Sequence, residues 1–474
     1  MALRALACAS CAVAAGLIGG CASPFDQPIG TRDGRVIPSG ASEAPPSQYR
    51  DDERGIFSGD ATLLPNASPE DYVRYALMHS PAVEAAYQRW RAATERLPQV
   101  RALPDPRLSI GFFLDEVETR VGPQQAKLGV SQTFPWFGSL DDREDAAVRV
   151  ARAAWRTFEA VRLSVTERAI GALHELVYLD AATRITNENM DLLQSFEEVV
   201  RARYRVGAGS HPELVRVQVE LGQLNDRLEQ LRAMRPAFVA ELNAVLNRPA
   251  DAEAPVLQQM PERVVAIDAA GLAEIARQTN PALQALDERI EEQRALARVA
   301  QKNGLPDLTV GLDYTFTGEA RDPSIPESGD DPVMLTFGVN VPLWREKYDA
   351  GVREAIARRL EAAADRDNQS NQIMAAIERA WFEHTDADRR VRLYERTLMP
   401  KAQESLRASL AGFRASDTSF LDLLDTERTL LEFALAAERA KADRGKALAR
   451  LHTLVGQDVP TRSVTDILPR EVNE

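Results

Sequence analysis

Two hydrophobic periods alternate along the chain. From Leu140 to Val206 there is no proline, and Gly171 is the one interior glycine. Ala151, Phe158, Val165, Ala172 and Leu179 fall on one heptad line there, with Trp155, Ala169 and Leu176 on its neighbour and Arg162 interrupting it. Met190, Leu193, Val200 and Tyr204 continue in similar spacing. Such a stripe packs as a coiled-coil seam rather than holding a cofactor. At about 1.5 Å per residue, the helix runs to ~100 Å. The second period is two. Leu308, Val310, Leu312, Tyr314 and Phe316 alternate with Thr309, Gly311, Asp313 and Thr315; Val333, Leu335, Phe337, Val339 and Val341 alternate with Met334, Thr336, Gly338 and Asn340. Both read as strands with one apolar face and one small or polar face.

The pattern occurs twice. Ser80-Pro81-Ala82-Val83 returns as Asn280-Pro281-Ala282-Leu283, Leu103-Pro104-Asp105 as Leu305-Pro306-Asp307, and Tyr204-Arg205 as Phe413-Arg414. The offset grows from 200 at Pro81/Pro281 to 202 at Pro104/Pro306, 207 at Pro135/Pro342 and 209 at Leu214/Leu423. Ordered landmarks at a slowly growing offset mark an internal duplication, and most of the growth lies between paired strands, where exposed hairpin loops absorb insertions. Each half is expected to hold a helix of about 20 residues, two strands, a very long helix, a tight turn and a return helix. The first repeat spans 69–250, with strands at 107–114 and 125–134 and long helices at 139–206 and 211–247. A linker follows at 251–271. The second repeat spans 272–457, with strands at 307–317 and 333–341, long helices at 346–413 and 418–456, and a tail at 458–474. Pro236 and Pro400 lie inside long helices and predict bends there.

The predicted fold class is mainly α with a pair of β-hairpins. A period of two also fits a half-buried sheet of a soluble domain. Strand lengths near the ~9 to 11 residues that cross a membrane favour lipid on one side and water on the other. Four strands cannot close a barrel of useful bore, so several chains must pool theirs.

The N-terminus strengthens the membrane reading. Residues 1–20 have the layout of a secretory signal, with Arg4 ahead of a short apolar stretch and small residues before Cys21. Leu17-Ile18-Gly19-Gly20-Cys21 resembles a bacterial lipobox, whose cysteine is acylated after cleavage. An ordinary signal peptide that contains a cysteine reads the same way. Ala22 is not the aspartate that signals inner-membrane retention in many lipoproteins, which makes outer-membrane sorting the default. Residues 21–68, rich in Pro, Gly, Ser and Asp, read as a tether from the lipid to the folded body.

Composition removes several function classes. The chain of 474 residues carries 57 Lys and Arg against 71 Asp and Glu, a net charge of −14, which repels a nucleic acid. Its three cysteines, Cys8, Cys11 and Cys21, all fall in the first 21 residues, so the rest of the chain can form neither a disulfide framework nor a thiolate metal site, and no two of its five histidines lie four residues apart, so a helical zinc motif is absent. No nucleophile elbow or phosphate loop appears either, and neither an enzyme nor a cofactor is implied.

Both long helices end in short turns, and here the chain resembles a known family. Tyr204-Arg205-Val206-Gly207-Ala208-Gly209 precedes Glu213-Leu214, and Gly412-Phe413-Arg414-Ala415 precedes Ser419-Phe420-Leu421-Asp422-Leu423-Leu424-Asp425. In register with the repeat, these residues resemble the TolC-like outer-membrane efflux factors from about Pro69 to Gln457. That resemblance implies a homotrimer whose twelve strands form one transmembrane β-barrel, continued through the periplasm by a tunnel of antiparallel coiled coils, a trimeric α-barrel. It implies a periplasmic adaptor (membrane fusion) protein and an inner-membrane pump of the RND type as partners, with passive flow through this chain. Asp422 and Asp425 match the acidic pair that rings the family's periplasmic aperture, Glu213 matches an acidic position of the first tip, and Phe413 is placed at the aperture with them. Val206, Gly207, Ala208, Gly209, Ser210, Ala415, Ser416, Asp417 and Thr418 are implied as adaptor-docking tips. Phe413 and Thr418 replace a tyrosine and an arginine of the best-known family latch, so that latch does not transfer. Gln132-Thr133-Phe134-Pro135-Trp136-Phe137-Gly138 resembles the family's heavy-metal branch, and also reads as an aromatic belt at a membrane interface. The other functional readings are a structural envelope lipoprotein that conducts nothing and a type I secretion exit duct.

Overall fold

The computed structural model describes residues 63, 67–207, 209–253, 260–322, 324–415 and 417–463. The expected signal segment, Cys21, nearly all of the tether, and the turn residues Ala208 and Ser416 lie outside them. In chain order the first half comprises α1 (Pro69–His79), α2 (Pro81–Thr94), α3 (Arg96–Arg101), β1 (Arg107–Thr119), β2 (Gly122–Phe134), α4 (Ser139–Arg205) and α5 (His211–Val245). After β3 (Arg263–Val265), the second half comprises α6 (Ala269–Thr279), α7 (Pro281–Lys302), β4 (Leu308–Thr317), β5 (Val333–Val339), α8 (Arg345–Leu393), a π-helical turn (Tyr394–Leu398), α9 (Met399–Ala415) and α10 (Phe420–Val455). β6 (Thr461–Ser463) closes the described chain.

Prolines and caps set the helix boundaries. Pro81 and Pro281 each begin a new helix, because the residue before a proline is held out of the α region. Ser80 and Asn280 are extended, with ψ 118 in both, so the single opening helix expected in each half is broken there. Asn280 Oδ1 accepts from the Ala282 and Leu283 amides at 2.9 and 3.1 Å and caps α7. Pro400 lies in the first turn of α9, directly after a π-helical turn. The π turn just ahead of it places the Met399 amide on the Tyr394 carbonyl, so the ladder is rerouted around the missing proline donor.

The 67-residue α4 packs against α5, α7, α10 and α2. Its heptad line is buried throughout: Ala151, Phe158, Val165, Ala172 and Leu179 are all core. Near the α2 contact, Trp90 meets Trp155 edge to face at 5.0 Å and Trp155 lies 5.1 Å from Phe158. The α4/α5 hairpin and the α8–α9/α10 hairpin are joined where α4 packs on α10. Arg439 seals that joint as a fork, its guanidinium on both oxygens of Glu175 at 2.8 and 3.0 Å and 4.9 Å from the Tyr178 ring centre.

The strands form one antiparallel sheet in the order β1-β2-β4-β5. β1 runs on to Thr119 rather than stopping at Leu114, and β2 begins at Gly122. A register shift between Phe112 and Val117 explains the missed extension: Phe112-Phe113-Leu114 breaks the alternation, and pairing resumes at Val117–Gln124. β5 ends at Val339, two residues short of the expected Val341.

The linker and tail also depart from simple connectors. β3 pairs antiparallel with β6, joining residues 263–265 to 461–463. His384, fully buried, holds this small sheet to the helices: its Nε2 accepts from the Val265 amide and its Nδ1 donates to the Arg444 carbonyl, both at 3.1 Å. Arg444 beside it is 3% exposed and is satisfied by Asp388 at 3.0 Å and Glu262 at 2.7 Å.

Candidate functional site: a two-faced sheet and two helical tips

The register of the four strands sorts their side chains into two faces. Leu108, Val130, Leu312 and Leu335 stand opposite one another across all four strands, and each is at least 46% exposed. Ile110, Leu128, Tyr314 and Val333 form the next row, and Gln132, Val310 and Phe337 another. The opposite face carries Ser109, Gly129, Asp313 and Met334 in one row and Arg107, Ser131, Gly311 and Thr336 in another. Thr133 and Thr309 hydrogen-bond across this face at 3.0 Å. A contiguous exposed apolar sheet needs a covering phase, either protein or lipid. Where the strands lead back to the helices, Trp136, Phe137, Leu343 and Trp344 are exposed as well.

At the far end of the hairpins both return helices start with the same device. Ser210 precedes α5, and its amide donates to Glu213 Oε2 at 3.1 Å. Ser419 precedes α10: the Asp422 amide donates to Ser419 Oγ at 3.2 Å, and that hydroxyl donates to Asp422 Oδ2 at 2.7 Å. Glu213 and Asp422 thus occupy N3 positions, where a carboxylate also meets the favourable end of the helix dipole. Asp425 lies one turn further along α10, and both aspartates are exposed. The capping role accounts for Asp422 without any ligand; nothing comparable accounts for Asp425.

The first turn leaves α4 through Val206, 78% exposed, and Gly207, whose φ of +73 requires a residue tolerant of the left-handed region. Gly209 lies against the Arg203 and Tyr204 backbone, where a β-carbon would come within 3.1 Å. The second turn closes by bonds from the Asp417 and Thr418 amides to the Gly412 carbonyl at 2.8 and 3.3 Å. Ala415 and Asp417 are exposed there.

Phe413, which the family resemblance places at the aperture, packs as a core residue of its own chain. It is 5% exposed, its ring centre lies 5.7 Å from that of Phe420, and both belong to the apolar cluster that includes Leu193, Val200, Leu423 and Leu424. Arg203 of the other hairpin covers it, with the guanidinium 4.6 Å from the ring centre and Nη1 donating to the Phe413 carbonyl at 2.9 Å. Nothing in the sequence pointed to Arg203.

Deeper in the same cluster lies a buried acidic pair that sequence reasoning also missed. Glu427 is 1% exposed and Glu220, on α5, is 6% exposed. Glu220 is neutralised by Arg428, while Glu427 receives a hydrogen bond from Asn189 of α4 and leaves Oε1 without a partner. Burial pushes the Glu427 carboxyl up to about 7; Asn189 and Arg428 pull it down and neighbouring Glu220 pushes it further up. The signal was available: Glu427 continues the seam of Phe420, Leu424 and Leu431, where an apolar residue is expected.

A duplicated pair of long helical hairpins, carrying a four-stranded sheet with an exposed apolar face, defines a channel-type envelope protein. The outer membrane efflux protein family matches residues 73–248 and 272–457, and the chain belongs to that TolC-like family. The two matched segments correspond to the two halves described above. Among similar proteins, the chain is 23% identical over 345 residues to the cobalt-zinc-cadmium resistance protein CzcC of Cupriavidus metallidurans, covering 70% of this chain and 77% of that one. It is 23% identical over 427 residues to the pyoverdine export outer membrane protein OpmQ of Pseudomonas putida, covering 84% and 88%. The fold is shared with the outer membrane protein VceC of Vibrio cholerae, with a TM-score of 0.68 and 19% identity over 82% of this chain and 96% of that one. CusC is similar at a TM-score of 0.71 and 15% identity, with coverage of 87% and 96%. The family and its neighbours are outer-membrane efflux channels rather than enzymes.

Proposed function

We propose that three copies of this chain form a passive conduit through the outer membrane and periplasm, receiving cargo from an RND-type pump through a periplasmic adaptor. The observation that carries the reading is the row Leu108–Val130–Leu312–Leu335, apolar and exposed on one face, with serines, threonines and glycines behind it. Lipid is the covering phase that matches such a face, and water matches the other. β1 and β5 are the edges of the sheet. Joining the β5 edge of one copy to the β1 edge of the next keeps every pairing antiparallel and removes all edges once a ring closes. The length of α4, ~100 Å, then carries the conduit into the periplasm.

At the tips, three-fold symmetry would gather the exposed Asp422 and Asp425 carboxylates into one acidic constriction, with Glu213 on the neighbouring hairpin. Phe413 supports that constriction from within the hairpin. The turns 206–210 and 415–418 would meet the adaptor, and an acylated Cys21 would add a lipid anchor. A metal cation is the cargo class best matched to an acidic constriction, and CzcC, named for resistance to such cations, is among the relatives.

Closure by edge pairing is tested with paired cysteines, Leu108→Cys or Ile110→Cys on β1 with Leu335→Cys or Phe337→Cys on β5. Oxidation of membranes should give a ladder that stops at three chains for one register. No cross-link at any register, or a ladder that continues past three, would contradict the trimeric barrel.

A further inference from the structure

On the polar face of the sheet, one ion pair stands among small and uncharged side chains. Lys127 Nζ lies 3.3 Å from Asp313 Oδ1, joining β2 to β4. The two residues are diagonal neighbours: Lys127 stands opposite Thr315, and Asp313 opposite Gly129. Gly129 makes the contact possible. A β-carbon there would come 2.5 Å from Asp313 Oδ1 and 2.6 Å from Ser109 Oγ, so the carboxylate lies over the strand in space that any side chain would fill. In the paired rows of this face the one other charge is Arg107, at the end where the strand begins. The Lys127 and Asp313 side chains are 40% and 18% exposed, and an ion pair so open to water contributes about 0 to 1 kcal/mol. Stability gives a weak reason for two opposite charges here; the potential they set gives a stronger one.

We propose that Lys127 and Asp313 determine the charge selectivity of the barrel lumen, holding it near neutral at their level so that cations and anions pass alike. The inference rests on the reading of the polar face as a lumen. In each copy a unit positive and a unit negative charge cancel within one contact distance, and a permeating ion several ångströms away meets a dipole rather than a charged ring. Losing either partner uncovers the other in every copy at once.

The test reads the local potential directly, independent of whatever limits flow at the tips. Thr315→Cys places a thiol opposite Lys127 and on the Asp313 face; Val130→Cys places one on the apolar face. Outer-membrane vesicles carrying the full-length chain are treated with thiosulfonate reagents bearing a positive or a negative charge, and the ratio of modification rates is measured. With both partners present, the ratio at Thr315→Cys stays close to that of a free thiol. Adding Asp313→Asn should shift it towards the anionic reagent by about threefold to tenfold, and adding Lys127→Gln should shift it equally the other way. The double change Asp313→Asn with Lys127→Gln should restore the starting ratio, which also controls for altered folding. Equal ratios in all four backgrounds would overturn the selectivity role while leaving the conduit intact. Rapid modification of Val130→Cys by either reagent would instead show the apolar face in water, and would overturn the lumen and the inference together.

Discussion

Arg203 and Phe413 tie the two helical hairpins together next to the tip. Nη1 of the arginine donates to the Phe413 carbonyl at 2.9 Å while its guanidinium carbon stands 4.6 Å from the ring centre. A part-exposed cation–π contact and a hydrogen bond from a charged donor together contribute about 1 to 3 kcal/mol. Arg203→Ala should therefore loosen the second turn, seen as faster amide exchange at Gly412 to Thr418, and Arg203→Lys should recover only part of the protection. Unchanged exchange in Arg203→Ala would remove this contact from the account of how the tip is held.

Glu427 gives the tip region a defined pH dependence. Burial pushes its carboxyl up to about 7 in the folded protein, above the ordinary glutamate range near 4.5, so folding favours the protonated acid. Its contribution to stability is fully present below about 4.5 and is lost as pH rises through about 7. The groups whose fields reach it are Glu220 on α5 and Arg428 on its own helix; α4 presents neutral Asn189, and α9 contributes apolar Leu406 and Leu410 to the surrounding cluster. Glu427→Gln should raise the unfolding midpoint relative to the parent protein at pH 8 and bring little change at pH 4. A difference independent of pH would contradict a buried, proton-bearing Glu427.

The small β3/β6 sheet should fail in the opposite direction. His384 must be neutral at Nε2 to accept the Val265 amide, and burial holds its imidazole below the usual histidine range. The stability this supplies is present above the free histidine value and is lost as pH falls through the lower folded value. Amide exchange at Val265 should accelerate on acidification ahead of the α8 and α10 cores. His384→Phe, which lacks the acceptor, should show fast exchange at every pH.

Gly445 on α10 lies directly against the His174 ring of α4, and a β-carbon there would overlap the imidazole. Gly445→Ala should destabilise the joint between the two halves by about 1 to 3 kcal/mol. Combining it with His174→Ala should recover part of that loss in a denaturant titration. An additive double variant would show that the overlap is relieved elsewhere.

Much of this architecture was legible because it is periodic. The line Ala151, Phe158, Val165, Ala172, Leu179 is buried as a heptad seam requires, and the strand residues from Leu308 to Phe316 fall on alternate faces. Elements without a period were not. β3 and β6 are three residues each, and their pairing depends on His384, more than a hundred positions away from Val265 in sequence. The bulge near Phe112 hid the outer end of β1, and the π turn at Tyr394–Leu398, which reroutes the hydrogen-bond ladder ahead of Pro400, has no period of its own to reveal it. At the tip, the resemblance placed Phe413 by position alone, whereas its environment is decided by Phe420 and Arg203, which approach from other elements.

The most direct test of the conduit is ion conductance of the purified protein in planar bilayers, with and without Asp422→Ala and Asp425→Ala together. A conduit should give discrete conductance steps that favour cations, with that preference reduced in the double variant because the exposed carboxylates of the tip are gone. Absence of steps at every voltage in both forms would contradict it and would leave a structural envelope lipoprotein as the reading of this fold.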